Sequence, residues 1–289
     1  MKVFVTGAGG GLGQEVPEVF VDDEVVGRTH ADLDITDREA VLRDIEDEKP
    51  DLVIHAAAYT NVDQAETYRE VAHKANVDGA RNVAEAAANN GAALIFPSTD
   101  YVFDGRKGSP YIEADVARPL NYYGETKLAG EAAVLEVHPQ ALVARVSWLY
   151  SQRGKSLATT MLRYFVEREK LSMVSDQFGS PTYSRDYLRG AAVLLKAGAA
   201  GLYHVAAEGE TSRYGFVHKL AELVGSKVVL EKTTAAEYDL PAKRPARCSL
   251  DSSRARALGA GLPQWEDSLY AYLVDRGLVA ADESQVAKQ

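Results

Sequence analysis

Sulfur is scarce in this chain: a single cysteine, Cys248, stands in 289 residues. One thiol cannot close an intramolecular disulfide, and no candidate base lies near it in sequence, so Cys248 reads as a small packing residue. The sequence also lacks any run of about 18 apolar residues and opens without a basic-then-apolar leader, which predicts a soluble, cytoplasmic protein with no membrane partner. Basic charge is in short supply. Lys+Arg number 32 against 42 Asp+Glu, a formal net charge of -10, so nucleic acid is not an expected partner. The six histidines, His30, His55, His73, His138, His204 and His218, show no metal-ligand spacing. No metal is predicted, and Glu15 reads as a capping or surface charge. There is no internal repeat and no low-complexity linker, and only the last ten residues suggest disorder.

What is present is alternation. Apolar runs at Val3 to Val5, Glu24 to Gly27, Leu52 to Ala56, Ala93 to Phe96 and Leu142 to Val146 are separated by helical patterns at Asp37 to Asp47, Tyr68 to Asn90 and Tyr123 to Val137. Strands alternating with helices predict an α/β chain built on a parallel sheet. Past Trp148 the order loosens: a helix over Leu157 to Arg168, a strand near Leu171 to Val174, a loop at 176–182, a helix over Ser184 to Lys196 and one more parallel strand at Gly201 to Ala206. The expected architecture is a Rossmann-type doubly wound parallel sheet with a smaller, discontinuous C-terminal substrate-binding lobe. Residues 1–147 plus about 184–225 would form the dinucleotide-binding part, and about 148–183 with 226–289 the lobe.

Two motifs carry chemistry. The first strand runs straight into Gly7-Ala-Gly-Gly-Gly-Leu-Gly13. Glycine tolerates the tight turn, lets backbone approach a pyrophosphate, and leads into a helix whose free N–H groups favour an anion. Gly7, Gly10, Gly11, Leu12 and Gly13 are therefore candidate cofactor residues, with Gly9 also available. Their three-residue spacing differs from the commonest fingerprint. The second motif, Tyr123-Gly-Glu-Thr-Lys127, sets a phenol and an ammonium on one helix face, where the fixed cation would lower the phenol's pKa and fit it for proton transfer to a carbonyl or alcohol. At the end of the second strand, Val25-Val-Gly-Arg-Thr-His30 lacks the acid that NAD-specific sites place on the ribose, while Arg28 offers a planar fork for a 2′-phosphate. NADPH is the expected cofactor, with NADH use also plausible.

With Ser98-Thr-Asp-Tyr-Val-Phe-Asp104 at a buried strand end, these motifs resemble the extended short-chain dehydrogenase/reductase superfamily. Ala56-Ala-Ala-Tyr-Thr60, Asn121-Tyr-Tyr-Gly-Glu-Thr-Lys-Leu-Ala-Gly-Glu131, Arg145-Val-Ser-Trp148, Asp176-Gln-Phe-Gly-Ser-Pro-Thr182, Arg244-Pro245 and Leu262-Pro-Gln-Trp265 extend the resemblance, specifically to the dTDP-4-dehydrorhamnose reductase family, over nearly the whole chain. The resemblance implies hydride transfer to the C4 ketone of a nucleotide-linked 4-keto-6-deoxy sugar. Thr99, Tyr123 and Lys127 would be catalytic, with Tyr123 the proton donor and Lys127 also on the ribose hydroxyls. Asp34, Ile35, Ala56, Ala57 and Ala58 would line the cofactor, Ile35 packing on the adenine. Thr99, Asp100, Tyr101, Val102, Phe103 and Trp148 would meet the sugar, and Arg244 the diphosphate. A homodimer is compatible with it. Two other readings stay open: a sugar-nucleotide epimerase or dehydratase of the same superfamily, and a non-catalytic NADP-binding subunit resembling the regulatory subunit of methionine adenosyltransferase.

Overall fold

A computed structural model describes residues 1–238 and 240–281; the expected disorder of the last ten residues, and the end of the proposed lobe, fall largely on 282–289, outside the described residues. Six parallel strands form the central sheet: β1 (Lys2–Thr6), β2 (Glu24–Arg28), β3 (Leu52–His55), β4 (Ala93–Thr99), β5 (Leu142–Val146) and β6 (Gly201–His204), in the order β6-β5-β4-β3-β1-β2. The chain steps outward from β1 to β2, then crosses back to β3 and proceeds the other way. That reversal leaves a crevice at the carboxyl ends of β1 and β3, where open α/β sheets take ligands.

Both faces are covered, as the strand sequences require. Val3, Val5, Leu52 and Ile54 point to one side and pack with Tyr187, Leu188 and Leu194, whereas Phe4, Val53 and Leu94 point to the other and pack with Val41, Val83 and Val134. The covering helices are α1 (Arg38–Glu48), α2 (Gly79–Asn89), α3 (Tyr122–Val137) and, later in the chain, α5 (Ser184–Lys196). Asp37 caps α1 by accepting from the Ala40 amide, and Asn121 caps α3 by accepting from Gly124 at 2.8 Å. The doubly wound sheet expected from the alternation is the observed fold.

Three local departures from the sequence expectation have physical causes. β4 continues through Pro97 to Thr99 because its pairing with β3 stops at Ile95, so beyond that point proline's missing N–H breaks no ladder bond on that side. The long helix expected over Tyr68 to Asn90 is interrupted at Lys74–Asp78 by a π-turn. The extra residue turns Asn76 inward, where its amide bonds the Tyr59 backbone at both ends and the Thr126 hydroxyl on α3. After the glycine loop the helix is short, a 3₁₀ turn at Gly13–Glu15 followed by Val16–Val19.

A second core lies beyond the strand ends. Tyr150, Tyr183, Phe216, Trp265 and Tyr272 pack together, joined by residues of α4 (Leu157–Glu167), α6 (Arg213–Leu223) and α7 (Trp265–Asp275). Helices α6 and α7 had no counterpart in the sequence reading. Among the described residues no helix is long and apolar enough to cross a membrane. Cys248 is buried beside Phe103, its thiol 3.7 Å from that residue's carbonyl oxygen, in keeping with a packing role.

Candidate active site

The glycine loop is shaped by backbone-on-backbone contact. Gly7 has φ +70°, and a Cβ there would stand 2.5 Å from the Ala57 nitrogen; a Cβ on Gly13 would stand 2.4 Å from the Gly7 carbonyl oxygen. No side chain fits at either position. Gly10, Gly11 and Leu12 line a cleft of about 430 Å³ that continues past Ala56 and Ala58 to Thr99, Tyr123 and Lys127. A backbone-walled mouth at the sheet's switch point, leading to a phenol and an ammonium, fits a dinucleotide laid across β1 and β3.

Three residues converge around the reacting position. Thr99 ends β4, and its hydroxyl accepts from the Tyr101 amide at 3.2 Å while donating to the Asp100 carboxyl at 3.2 Å. Lys127 is 4% exposed; its ammonium bonds the Pro97 carbonyl at 2.8 Å and lies 4.2 Å from the centre of the Phe96 ring. Burial brings its pKa down to about 8, with the Glu131 carboxylate pulling the other way. Burial also raises the Tyr123 phenol, opposed by a hydrogen bond with Thr99. The lowered phenol expected from the Tyr-Lys spacing is thus not what this conformation shows, because desolvation dominates and the lysine is aimed at the Pro97 carbonyl.

Trp148 follows β5 with φ +47°, a left-handed backbone rare for a bulky residue. Packing holds it there. A Cβ on Gly179 would meet the indole at 2.6 Å, and the Arg213 guanidinium lies 4.4 Å over its ring.

The family described as the RmlD substrate binding domain matches residues 1–277. A dTDP-4-dehydrorhamnose reductase from Burkholderia thailandensis is 40% identical over 286 residues, 92% of this chain and 95% of the relative. The chain belongs to the dTDP-4-dehydrorhamnose reductase family. Another reductase of that name, from Aggregatibacter actinomycetemcomitans, is 37% identical over 93% of this chain and 97% of its own. Among solved structures, dTDP-4-dehydrorhamnose reductase from Bacillus anthracis in complex with NADP is similar with a TM-score of 0.92 and 36% identity, over 95% of this chain and 99% of that one.

In this member of the reductase family, several candidate residues lie elsewhere than expected. Val102 and Phe103 are fully buried, Phe103 stacked on Tyr111 at 4.1 Å, so they support the site from the core and do not reach a sugar. Arg244 gives both terminal nitrogens to Asp63 at 2.6 Å and does not line the cleft, leaving no free fork for a diphosphate. Arg28 is likewise occupied, by Asp44 at 2.8 Å through two nitrogens and by Glu48 at 2.6 Å. Asp34 is exposed and accepts from Thr36, while Ile35 turns into the core under Gly79. Ala57 lies against the glycine loop, its amide 3.4 Å from the Thr6 hydroxyl. Tyr101 and Asp100 do border the cleft.

Glu15 is not a surface charge. It is 1% exposed, accepts from the Gln152 amide at 2.9 Å and pairs with Arg185 at 2.7 Å, fastening segment 151–156 over the glycine loop. A Cβ on Gly11 would lie 2.4 Å from the Ser151 hydroxyl, so the segment packs directly on the loop. Gln152 and Arg213 had no signal in the sequence beyond their residue types, and Ser147 stood inside the Arg145–Trp148 phrase without a role of its own.

Asp100 is the cleft's acid. It is 2% exposed and accepts from Ser147 at 2.8 Å, and burial pushes its carboxyl up to about 7 against that hydrogen bond and the one from Thr99. An unfolded aspartate titrates near 3.8. Between those values the folded state holds the extra proton, so this group's contribution to stability falls as pH rises, by up to about 1.4 kcal/mol per pH unit. His55 and His204, buried and depressed to about 3 and about 4, act oppositely below 6.5, and the comparison that isolates Asp100 is with its own amide. Urea unfolding of Asp100→Asn and the parent is expected to show a stability difference that shifts in favour of the variant from pH 4 to pH 7. Parallel profiles would contradict it.

Proposed function

We propose that the protein is an NADPH-dependent reductase that converts dTDP-4-dehydro-L-rhamnose to dTDP-L-rhamnose. The observation that carries this reading is the convergence of Thr99, Tyr123 and Lys127 on the one cleft that the glycine loop opens into. The chemistry a reduced nicotinamide supplies when bound there is a hydride. The chain's own residues do the rest. Gly7 and Gly10 to Gly13 cradle the pyrophosphate, Ala56 to Ala58 let the dinucleotide lie close to backbone, and Asp34 meets the adenine edge. Thr99 and Tyr123 hydrogen-bond the C4 carbonyl oxygen, and Tyr123 gives it a proton as negative charge develops. Burial keeps the phenol protonated at neutral pH, so the donor form is the resting form. Lys127 swings from the Pro97 carbonyl to the ribose hydroxyls and stabilises the phenolate left behind. Trp148 walls the sugar, its apolar face against the deoxy methyl group.

The same reading includes a cytoplasmic location, a homodimer, and a lobe formed by residues 148–183 with 226–289, to which α6, assigned with 184–225 to the dinucleotide-binding part, is added because it packs in the second core. It is tested by supplying dTDP-4-dehydro-L-rhamnose with NADPH, following absorbance loss, and identifying the product by NMR. Turnover is expected; a folded protein that binds NADPH and reduces no keto sugar would instead favour the non-catalytic reading. Run with both cofactors, the assay also tests Arg28. Releasing it from Asp44 and Glu48 costs part of what a 2′-phosphate returns, so NADH should serve as well, and Arg28→Ala should weaken NADPH about tenfold more than NADH. Equal losses would remove Arg28 from the cofactor site.

A further inference from the structure

The chain carries a net charge of -10, yet the charged residues around the cleft are three bases and one acid: Lys127, Lys155 and Arg213 against Asp100. Lys127 serves the reacting end, and Lys155 comes from the segment over the glycine loop. Arg213 has no assigned task. It is the first residue of α6, and three contacts fix its side chain. Nε donates to the Gln177 amide oxygen at 3.0 Å, Nη2 to the Tyr101 hydroxyl at 3.1 Å, and the guanidinium plane lies over Trp148. Among the described residues no carboxylate pairs with it, and Nη1 makes no hydrogen bond. The arginines at 28, 185 and 244 are all paired with carboxylates.

We propose that Arg213 is the anion-binding residue of the substrate subsite, holding the diphosphate that joins the sugar to its nucleoside. This rests on the nucleotide-sugar reading of the cleft. A guanidinium held rigidly on an aromatic face, with donors left over, is preorganised for a phosphate oxygen and loses little entropy on binding one. Its place along the cleft is right. Tyr101 bridges the two ends, its ring edge-on to Tyr123 at 6.0 Å and its hydroxyl taking the Arg213 hydrogen bond, so cation and reacting phenol flank the same tyrosine. Arg244 borders the same Tyr101 hydroxyl, but Asp63 neutralises it. Asp100, the acid among the residues lining the cleft, is held by Ser147 and Thr99, and burial pushes its carboxyl up to about 7, which weakens its hold on the cation.

The test is calorimetric titration of the NADPH-bound protein and its Arg213→Met variant, which keeps an apolar chain on Trp148 without the charge. The ligands are dTDP and thymidine, with NADPH itself titrated separately. Affinity for dTDP is expected to fall about 10- to 100-fold while thymidine and NADPH are held as before, and the loss in kcat/KM should lie in KM. Arg213→Lys, a point charge without the fork, should fall between, and keeps the test open if the methionine variant does not fold. Unchanged dTDP affinity in the variants overturns the proposal. Weakening of NADPH in place of dTDP also overturns it, by moving the residue to the cofactor's pyrophosphate. If the parent binds no dTDP, the nucleotide-sugar reading falls first and the proposal with it.

Discussion

Tyr123→Phe is expected to lower turnover about 10²- to 10⁴-fold while leaving the fold and cofactor affinity close to those of the parent. The substitution removes one oxygen from a partly buried ring and keeps the edge-on contact with Tyr101. What is lost is the acid. When hydride adds to the carbonyl carbon, the C=O π pair moves onto oxygen, which must take up a proton, and Thr99, which already donates to Asp100, cannot replace a phenol that has Lys127 one helical turn behind it. Water reaching the cleft would supply the proton slowly, which sets the residual rate. The measurement is single-turnover reduction with NADPH in excess, alongside cofactor binding by fluorescence. A folded variant within tenfold of the parent would remove Tyr123 from the mechanism and leave Lys127, buried with a pKa of about 8, as the alternative donor.

The features that could be read in advance are those written in local sequence. The glycine loop was legible because the strand before it and the spacing within it both follow from steric need, and the structure shows that need as Cβ positions that backbone atoms already occupy. Tyr123 and Lys127 were legible because helix geometry alone places them together. Arg28 shows the limit. Its fork could be read, but the two carboxylates that take it arrive from α1, where Asp44 and Glu48 sit one turn apart on the same face. An acid pair at that spacing, on the helix after the second strand, was the available signal. Val102 and Phe103 sit in the core for a related reason: a 3₁₀ turn at Asp100–Val102 sends Asp100 and Tyr101 to the cleft and the next two side chains to the core. Arg213 could not be found at all, since only the tertiary fold brings α6 over Trp148.

Arg145→Met is expected to cost about 3–5 kcal/mol of folding stability, the largest structural effect of a single substitution near the site. Arg145 on β5 and Glu131 on α3 are 3% and 5% exposed and joined by two hydrogen bonds of 2.8 and 2.6 Å. Ser98 also donates to Glu131, and the guanidinium lies 5.0 Å from the Phe103 ring centre. Removing the cation leaves a buried carboxylate with one hydrogen bond, from Ser98, and only the more distant Lys127 ammonium for charge, so folding must either desolvate the carboxylate or protonate it. The loss should therefore be greater at pH 8 than at pH 5, where protonation relieves it. The double variant Glu131→Gln with Arg145→Met takes away both charges and should recover more than half of the loss, because the pair's net worth is smaller than the cost of breaking it. Lys127, one turn before Glu131, offers a second readout. The Glu131 carboxylate is the influence that holds its pKa up, so in the double variant the lysine should titrate lower than in the parent. Chemical denaturation at the two pH values measures the first effect, and NMR titration of labelled lysine the second. Additive single and double variants would show that the two charges fold independently and that α3 is not tied to β5 through them.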